Sequence, residues 1–284
     1  MRISNALRLI GNSSLRYAPV IVTAVWAAQS PTVQATVRAP LCKVEQAREN
    51  PAESMEEGFR KQFCETAHSK SCDNRWSNAR LFLDRALADT RIQDVGTIAY
   101  MFGTIYVETG TKDFSPAADE TIWSGNKDKQ YVKDGFYGRG WIQLTYRDKY
   151  VKAKKVIGGD PVNDPSIVKT PDNAYEILYR GMTEGWVENY RTSPGGAADP
   201  KYATPVRLSD FVTPVQVDYD HARAVINANC KKIKVGSSWV CSPPDVKVAE
   251  HHYIPPAASL DSSSAATGAA DRMERLLCRA QAPQ

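Results

Sequence analysis

The sequence predicts a mainly α-helical protein that is cross-linked by disulfide bonds. Several segments carry apolar residues at helical spacing, and near the start of the chain these are Met55, Phe59 and Phe63. The chain has six cysteines, an even number, as is common in proteins that fold in an oxidising compartment. Its 42% of apolar residues is enough for a proper core.

The first 36 residues have the pattern of an export signal. Arg2, Arg8 and Arg16 precede a short apolar run at 18–28, and small residues suited to cleavage follow. The run is shorter than the roughly 20 residues of a membrane-spanning helix, so we expect no stable membrane span. An uncleaved amphipathic leader and a misassigned start codon are the alternatives. The prediction is an exported protein, periplasmic or secreted.

The charge balance indicates the class of partner. Lys and Arg number 36 against 32 Asp and Glu, a net charge of +4. This excess is too small to indicate nucleic-acid binding, whereas it suits an anionic polymer such as a cell wall. No metal site is predicted, because no Cys-x-x-Cys pair occurs and the adjacent His251 and His252 do not share a helix face.

The six cysteines allow 15 pairings, among which the sequence does not choose. The favoured set has two short loops and one bond between the ends of the chain: Cys64–Cys72, Cys230–Cys241 and Cys42–Cys278.

Helical spacing predicts three helices in the first part of the chain, at 51–67, 73–88 and 91–109. Asp73 and Thr90 are the expected N-caps of the second and third helices, and Gly110 is the expected end of the third.

Glu108 lies in the last turn of the third predicted helix and borders its apolar stripe, three residues after Ile105. Apolar neighbours and the helix dipole both disfavour a negative charge there. They therefore favour the protonated carboxyl group that a general acid needs. On the residues alone, a frayed and exposed glutamate at a helix end is the preferred interpretation.

Two glycines flank an arginine at residues 138–140, where the backbone can approach other groups more closely than a Cβ would allow. The following apolar run presents one amide, Gln143, between Ile142 and Leu144. If this run is a strand, alternation places Gln143 on the opposite face, suited to the floor of a cleft. A surface loop followed by an ordinary edge strand explains the pattern equally well.

The rest of the sequence predicts five elements and one irregular segment. These are a helix from Thr145 to the glycines at 158–159, a helix beginning at Pro171, a helix at 219–228, a basic hairpin at 231–241, an irregular segment at 242–268 and a short helix at 270–280.

Two stretches together resemble the family 19 glycoside hydrolases, the chitinase-like branch of the lysozyme-like superfamily. Residues 106–110 read Tyr-Val-Glu-Thr-Gly, and residues 137–145 read Tyr-Gly-Arg-Gly-Trp-Ile-Gln-Leu-Thr. The resemblance covers about residues 100–229, and bacterial and phage cell-wall lysins look closest. It implies a bilobed, lysozyme-like helical fold with short β-hairpins and disulfides. The expected segments are a leader (1–36), an N-terminal helical extension (37–90), a catalytic core (91–229) and a disulfide-tied C-terminal extension (230–284).

The resemblance also implies roles for residues in an inverting hydrolysis. Glu108 would be the general acid, Glu120 the general base, and Thr145 the residue that orients the attacking water. Four aspartates of the same loop compete with Glu120, and Thr145 is also a candidate N-cap. The implied substrate contacts are Gln143, Tyr137, Lys149, Asn227, Trp123 and Arg180. For Arg180, a surface salt bridge is equally expected. No metal or organic cofactor is required.

Departures from the family pattern bear on the substrate, a β-1,4-linked polysaccharide containing N-acetylglucosamine. Lys149 stands where chitinases often have asparagine, and Trp141 where a smaller residue or proline is common. Peptidoglycan is therefore favoured over chitin. The alternatives are an inactive glycan-binding protein on the same fold and a secreted structural or toxin-like protein, for which an inhibitor or immunity protein would be the partner.

Overall fold

The computed structural model describes residues 37–65, 69–186, 207–222, 225–226, 232–235, 238–241, 247–248, 252–253 and 260–279. The described chain is mainly α-helical, as predicted. Its α-helices are α1 (Val44–Arg48), α2 (Glu56–Phe63), α3 (Lys70–Ala88), α4 (Val95–Thr109), α5 (Gln130–Lys133), α6 (Arg147–Ala153), α7 (Pro171–Thr183), α8 (Tyr219–Ala222) and α9 (Leu260–Leu277). Its strands are β1 (Val212–Thr213), β2 (Gln216–Val217), β3 (Lys232–Val235), β4 (Ser238–Cys241), β5 (Lys247–Val248) and β6 (His252–Tyr253).

Helix α4 is the central helix of the fold. It is buried on nearly all sides, whereas the sequence predicted one apolar stripe along it. The reason is α9, which covers a second face at very short range. A Cβ added at Gly103 would lie 2.5 Å from the carbonyl oxygen of Ala266 and 3.2 Å from the Cβ of Ala270. A helix that is covered on several sides is apolar all round, as α4 is.

Helix α9 is the largest departure from the sequence-based prediction. The segment up to residue 268 was expected to be irregular, with a short helix only at 270–280, but the helix begins at Leu260. Its serines, alanines and glycine give a weak apolar periodicity. Small side chains allow α9 to approach α4 closely, and three of its alanines are fully buried: Ala266, Ala269 and Ala270.

The predicted helix at 51–67 is a 3-10 turn (Ala52–Met55) followed by α2, which ends at Phe63. Its three predicted apolar positions are all buried: Met55, Phe59 and Phe63. The expected N-cap Asp73 is wrong, because α3 begins three residues earlier. Ser69 is the cap, and its hydroxyl oxygen accepts a hydrogen bond of 3.2 Å from the backbone N–H of Cys72.

The expected N-cap of α4, Thr90, is also wrong. Asp94 caps this helix, with Oδ1 2.6 Å from the backbone nitrogen of Thr97. The Asp94 side chain satisfies the orphan N–H group of Thr97 in the first turn, so the helix begins four residues later than predicted. At the other end Gly110 closes the α-helix as expected, and the chain continues into a 3-10 turn, Gly110–Lys112.

The strands form three antiparallel pairs, β1 with β2, β3 with β4 and β5 with β6. The predicted basic hairpin at 231–241 corresponds to β3 and β4. The pair β5–β6 lies in the segment that was expected to be irregular, and this expectation is corrected as well. Of the helix predicted at 219–228, the structure shows α8 at its start.

Two predicted disulfide bonds are present, Cys42–Cys278 and Cys64–Cys72. The first joins residues 236 positions apart in the sequence, with a Cα–Cα distance of 5.6 Å. Cys230, and with it the third predicted bond, lies outside the described residues, as does the expected leader at 1–36.

A buried carboxylate joins the same two parts of the chain as the Cys42–Cys278 bond. Glu274 of α9 is fully buried. It accepts hydrogen bonds from the Arg38 guanidinium (2.5 Å), the Leu41 backbone N–H (2.7 Å) and the Tyr219 hydroxyl (2.9 Å). Burial, followed by the charge of Glu274 and this hydrogen bond, raises the pKa of Tyr219 well above its usual value. The segment before α1 is therefore part of the core packing and contacts both α9 and the start of α8.

Buried apolar side chains form two clusters. The larger one surrounds α4 and includes residues of α2, α3, α7 and α9. The smaller one lies around α6 and includes Phe136, Leu144, Tyr150 and Trp186. Ile142 packs against both clusters, and α7 contributes to both. Among the described helices, none combines the length and the apolar character needed to cross a bilayer.

Candidate active site

The loop that follows α4 lies alongside the glycine stretch. The backbone N–H of Gly140 donates to the carbonyl of Ala118 (3.0 Å), and that of Glu120 donates to the carbonyl of Gly138 (2.6 Å). Residues 118–120 thus pair with residues 138–140 in antiparallel orientation, and this short pairing is called the zipper below. It brings Glu120 against the second of the two stretches on which the family resemblance depends.

Trp141 fixes this zipper to the core. It is fully buried, its indole N–H donates to the carbonyl of Phe114 (2.8 Å), and its ring meets Phe82 edge-on at 5.9 Å. By the family pattern, Trp141 is a departure that bears on substrate choice. The structure makes it a packing residue, because a fully buried indole does not contact a ligand in the cleft.

Gly138 allows Glu120 and Gln143 to lie close together. A Cβ added at Gly138 would lie 3.1 Å from Oε1 of Gln143 and 3.3 Å from Cβ of Glu120, tighter than most real contacts. This confirms that the stretch depends on a close approach that other residues would obstruct.

Glu120 is half-buried and accepts three hydrogen bonds. Its Oε1 accepts from the Asn126 side-chain amide and from the Tyr131 hydroxyl, both at 3.0 Å. Its Oε2 accepts from the backbone N–H of Gly138, also at 3.0 Å. An ionised carboxylate has about four acceptor sites, so one site on Oε2 is left over from these three bonds. Burial and the bond to Glu120 raise the pKa of Tyr131, which therefore remains a donor.

Asn126 organises the loop that follows Glu120. It is buried while residues 121–125 and 127–130 are exposed. Besides Glu120, its amide group donates to the carbonyl of Thr121 (3.0 Å), and its Oδ1 accepts from the backbone N–H of Trp123 (2.7 Å). The ring of Trp123 lies against Gly125 and is 62% exposed. One buried asparagine thus fixes both the carboxylate and the neighbouring tryptophan.

Gln143 is in a turn, so the expected strand alternation is wrong. Its φ of 50° is left-handed, and its backbone N–H donates to the carbonyl of Gly140 (3.1 Å). The side-chain amide donates to the carbonyls of Gly140 (3.0 Å) and Ala118 (3.2 Å). Its amide hydrogens therefore support the zipper, and its Oε1 is the atom left to contact a ligand.

Thr145 is not the N-cap of the next helix, because α6 begins at Arg147 with Tyr146 before it. The Thr145 hydroxyl donates to the carbonyl of Gln143 (2.7 Å) and is half-buried. A hydroxyl that donates in this direction keeps its oxygen lone pairs for another donor, such as a water molecule.

Glu108 is half-buried in the last turn of α4. The helix does not fray there: the N–H of Gly110 donates to the carbonyl of Tyr106, and the chain continues into the 3-10 turn. The interpretation of Glu108 as a frayed, exposed glutamate is therefore wrong. The residue lies at the start of the segment that leads to Glu120.

Tyr137 contacts Arg139 within the glycine stretch. The guanidinium carbon of Arg139 lies 3.6 Å from the centre of the Tyr137 ring. Arg139 is buried and donates to the Tyr150 hydroxyl (2.8 Å) and the Gly135 carbonyl (2.7 Å). Burial raises the pKa of Tyr150 to about 12. Arg139 is thus a structural residue, and half-buried Tyr137 covers it.

Two other predicted contacts have partners within the protein. The Lys149 ammonium donates to the carbonyl of Trp186 (2.9 Å) and lies 3.3 Å from the carboxylate of Asp148. Arg180 pairs with Glu184 at 2.5 Å and with Glu176 at 3.6 Å on its own helix, which is the surface salt bridge that the sequence left open. Asn227 lies outside the described residues.

Unusual backbone conformations occur beside the candidate site. Within the described residues, four non-glycine residues have positive φ: Asp113, Phe114, Gln143 and Tyr146. Asp113 and Phe114 precede residues 118–120 of the zipper, and Gln143 and Tyr146 follow residues 138–140. Such conformations each cost about 1–3 kcal/mol and often occur at functional sites. For Tyr146, with a φ of 73° and an exposed fraction of 54%, no described packing of the ring into the core accounts for this cost.

Sequence reasoning missed three residues of this region: Asn126, Tyr131 and Tyr146. No spacing or motif marks them, because their roles arise from a loop that folds back onto Glu120.

The side chains at the candidate site offer carboxylate, amide, phenol, hydroxyl and indole groups. In the part of the chain that the structure describes, no three His, Cys, Asp or Glu side chains are grouped as in a metal site. Comparisons of the chain with protein-family models, with curated proteins and with solved structures found no match.

Proposed function

We propose that the protein is an exported glycoside hydrolase that cleaves β-1,4-linked polysaccharide containing N-acetylglucosamine. The observation that carries the proposal is the environment of Glu120. Three donors hold this carboxylate in one orientation beside the glycine stretch, and one acceptor site on Oε2 is left over. A general base needs that combination of a fixed orientation and an oxygen site that can accept a proton from water.

In the proposed reaction, Glu108 protonates the glycosidic oxygen as the bond to the anomeric carbon breaks. Glu120 takes a proton from the attacking water, which Thr145 orients through its hydroxyl oxygen. The water attacks the face opposite the leaving group, so the anomeric configuration inverts. Turnover leaves Glu108 ionised and Glu120 protonated, and proton exchange with solvent restores both. No step requires a metal or an organic cofactor.

The proposal includes a bilobed, lysozyme-like arrangement and export from the cytoplasm. Support for two lobes comes from the two hydrophobic clusters, which meet at Ile142 beside the candidate site. Support for export comes from the two disulfide bonds, which persist in oxidising compartments.

Peptidoglycan is the favoured substrate, and chitin is the alternative. The preference rests on the likeness of the motifs to those of cell-wall lysins. The two departures from chitinases contribute less than the sequence suggested, because Trp141 is in the core and Lys149 contacts the Trp186 carbonyl. Cleavage of peptidoglycan compared with cleavage of N-acetylglucosamine oligomers distinguishes the two substrates.

A second candidate function is glycan binding without cleavage. The observation that favours it is the role of Glu120 in its own loop: a carboxylate that accepts from Asn126, Tyr131 and Gly138 also serves as a structural centre. Exposed Trp123 would then contact sugar with no chemistry to follow.

The experiment uses the purified, oxidised protein with Glu108→Gln, Glu120→Gln and a control, Glu57→Gln. Glu57 is an exposed glutamate of α2 that pairs only with Lys61 among the described contacts. Each protein is incubated with peptidoglycan and with N-acetylglucosamine oligomers, and the fragments are identified by mass and by the anomeric form first released. We expect both active-site variants to lose about 10²- to 10⁴-fold in kcat and the control to match wild type.

Retained activity in Glu120→Gln would move the base to another carboxylate of the loop. Binding without cleavage by wild type would establish the second candidate. If wild type neither binds nor cleaves either polymer, both candidates are wrong.

A further inference from the structure

We propose that Tyr146 is a sugar-contacting residue that acts with Trp123 as a second aromatic platform of the same site. The inference rests on the proposed function and deepens it, because neither the motifs nor the resemblance assigns a role to Tyr146. The ligand is a pyranose ring of the N-acetylated glycan, whose C–H groups pack against the face of an aromatic ring.

The first argument is the unusual state of Tyr146. A tyrosine with a φ of 73° is rare for a residue with a Cβ, and this one is also 54% exposed. A side chain that stabilised the fold by burial would explain the strain, but this ring is mostly in solvent. Exposed aromatic groups in strained conformations are typical of ligand contacts.

The second argument is that both aromatic residues are joined to the same oxygen atom. Tyr146 packs edge-on against Tyr131, with ring centres 5.1 Å apart, and the Tyr131 hydroxyl donates to Oε1 of Glu120. Trp123 is joined through Asn126, whose Oδ1 accepts from the Trp123 backbone N–H and whose amide group donates to that same Oε1. Each exposed aromatic residue is therefore connected to the proposed base through one intervening residue. In this proposal a sugar bound at Glu120 contacts both rings.

The third argument is that both rings are held in place before a ligand binds. Trp123 lies so close to Gly125 that an added Cβ there would be 2.2 Å from its ring atoms. Tyr146 is held by its ring contact with Tyr131 and by its backbone N–H, which donates to the Phe136 carbonyl (2.9 Å). Fixed rings lose little entropy when a ligand binds, so they bind flat surfaces efficiently.

The test measures binding of an N-acetylglucosamine hexamer and of solubilised peptidoglycan strands to the uncleaving Glu108→Gln protein, by titration calorimetry. Tyr146→Ala and Tyr146→Phe are added to that background, and Val215→Ala is the control. Val215 is an exposed residue of the β1–β2 turn. We expect Tyr146→Ala to weaken binding about five- to tenfold, and Tyr146→Phe and Val215→Ala to bind as the background protein does.

A third variant, Tyr146→Gly, separates contact from folding. Glycine adopts the positive φ without strain, so its thermal unfolding midpoint should equal or exceed that of Tyr146→Ala, while its binding should be equally weak. In the cleaving protein, Tyr146→Ala should raise KM with little change in kcat and no change in the pH profile, because the ring contacts substrate and not Glu120.

The possible results distinguish this inference from the proposed function. Unchanged binding by Tyr146→Ala, in a protein whose wild type cleaves the glycan, overturns the inference alone. A drop in kcat with unchanged KM would make Tyr146 a support for Tyr131 and would also overturn it. If wild type neither binds nor cleaves any glycan, the proposed function fails and this inference fails with it.

Discussion

Tyr131 and Asn126 donate to one oxygen of Glu120, and this shared acceptor explains how a carboxylate on an exposed loop keeps one orientation. No motif or spacing in the sequence indicates that either residue hydrogen-bonds to Glu120. At the scale of single residues, the candidate site depends on side chains that act on another side chain.

Removing the Tyr131 hydroxyl should therefore impair chemistry more than binding. A hydrogen bond to a charged group contributes about 1.5–3 kcal/mol, so Tyr131→Phe should lower kcat about tenfold or more with a smaller effect on KM. Steady-state kinetics on the cleaved glycan measure this. Tyr179→Phe, which removes a hydroxyl from a half-buried tyrosine of α7, is the control. Equal kinetics in both variants would contradict the role of Tyr131.

The residues of the glycine stretch show what a sequence predicts about a site. The need for a close approach at Gly138 was predictable, because only the absence of a Cβ matters there. The orientation of Gln143 was not, since alternation assumes a strand and a left-handed φ of 50° leaves no trace in the residue pattern. The burial of Trp141 was also hidden, because its partner Phe114 belongs to a loop on the other side of the zipper.

At the scale of elements, Asp94 at the start of α4 makes the stability of the fold depend on pH. Burial raises the pKa of Asp94 above its ordinary value of 3.8, although its bonds to Thr97 oppose this. The folded state therefore holds this proton to higher pH than the unfolded chain does. The resulting stabilisation is complete below the unfolded pKa and is lost as pH rises through the folded pKa.

Asp94→Asn should remove this pH dependence while keeping a capping side chain. We expect the free energy of unfolding of the variant, relative to wild type, to rise between pH 4 and pH 7. Urea denaturation at several pH values measures it. Asp172→Asn, at an exposed aspartate of the first turn of α7, is the control. Parallel curves for wild type and Asp94→Asn would show that Asp94 does not titrate differently in the fold.

The packing of α9 on α4 gives a second prediction at this scale. Gly103→Ala adds a methyl group 2.5 Å from the Ala266 carbonyl oxygen and should destabilise the fold by about 1–3 kcal/mol. This outweighs the about 1 kcal/mol that alanine gains over glycine in a helix. Gly158→Ala, where no atom lies within 4 Å of the added methyl, is the control. A stabilised Gly103→Ala protein would mean that the two helices are less close than described.

Elements with strong apolar periodicity were predictable. The example is α2 with the 3-10 turn before it, where Met55, Phe59 and Phe63 are all buried. Helix α9 was not predictable, because its buried residues are small and its partner is distant in the sequence. The predicted start of a helix was wrong where a residue other than the predicted one caps it, as with Asp94 in place of Thr90. Periodicity reports which face is buried, whereas the cap decides where the helix begins.

At the scale of the whole molecule, the two disulfide bonds should contribute unequally. By the chain-entropy relation, closing 236 residues through Cys42–Cys278 stabilises the fold by about 5.5 kcal/mol, and closing 8 residues through Cys64–Cys72 by about 2.5 kcal/mol. We therefore expect the Cys42→Ser, Cys278→Ser double variant to lose more stability in guanidinium denaturation than the Cys64→Ser, Cys72→Ser variant. The opposite order would show that local structure around the short loop dominates.

The bond between Cys42 and Cys278 also determines how the folded chain would bear mechanical load. Because the Cα atoms of Cys42 and Cys278 are 5.6 Å apart and their side chains are bonded, a force applied to the chain before Cys42 and after Cys278 passes through one covalent bond. The residues between them, including α4 and the loop with Glu120, lie outside that force path. The oxidised protein should therefore resist stretching until a covalent bond breaks, whereas the reduced protein should unravel from its ends, beginning with α9.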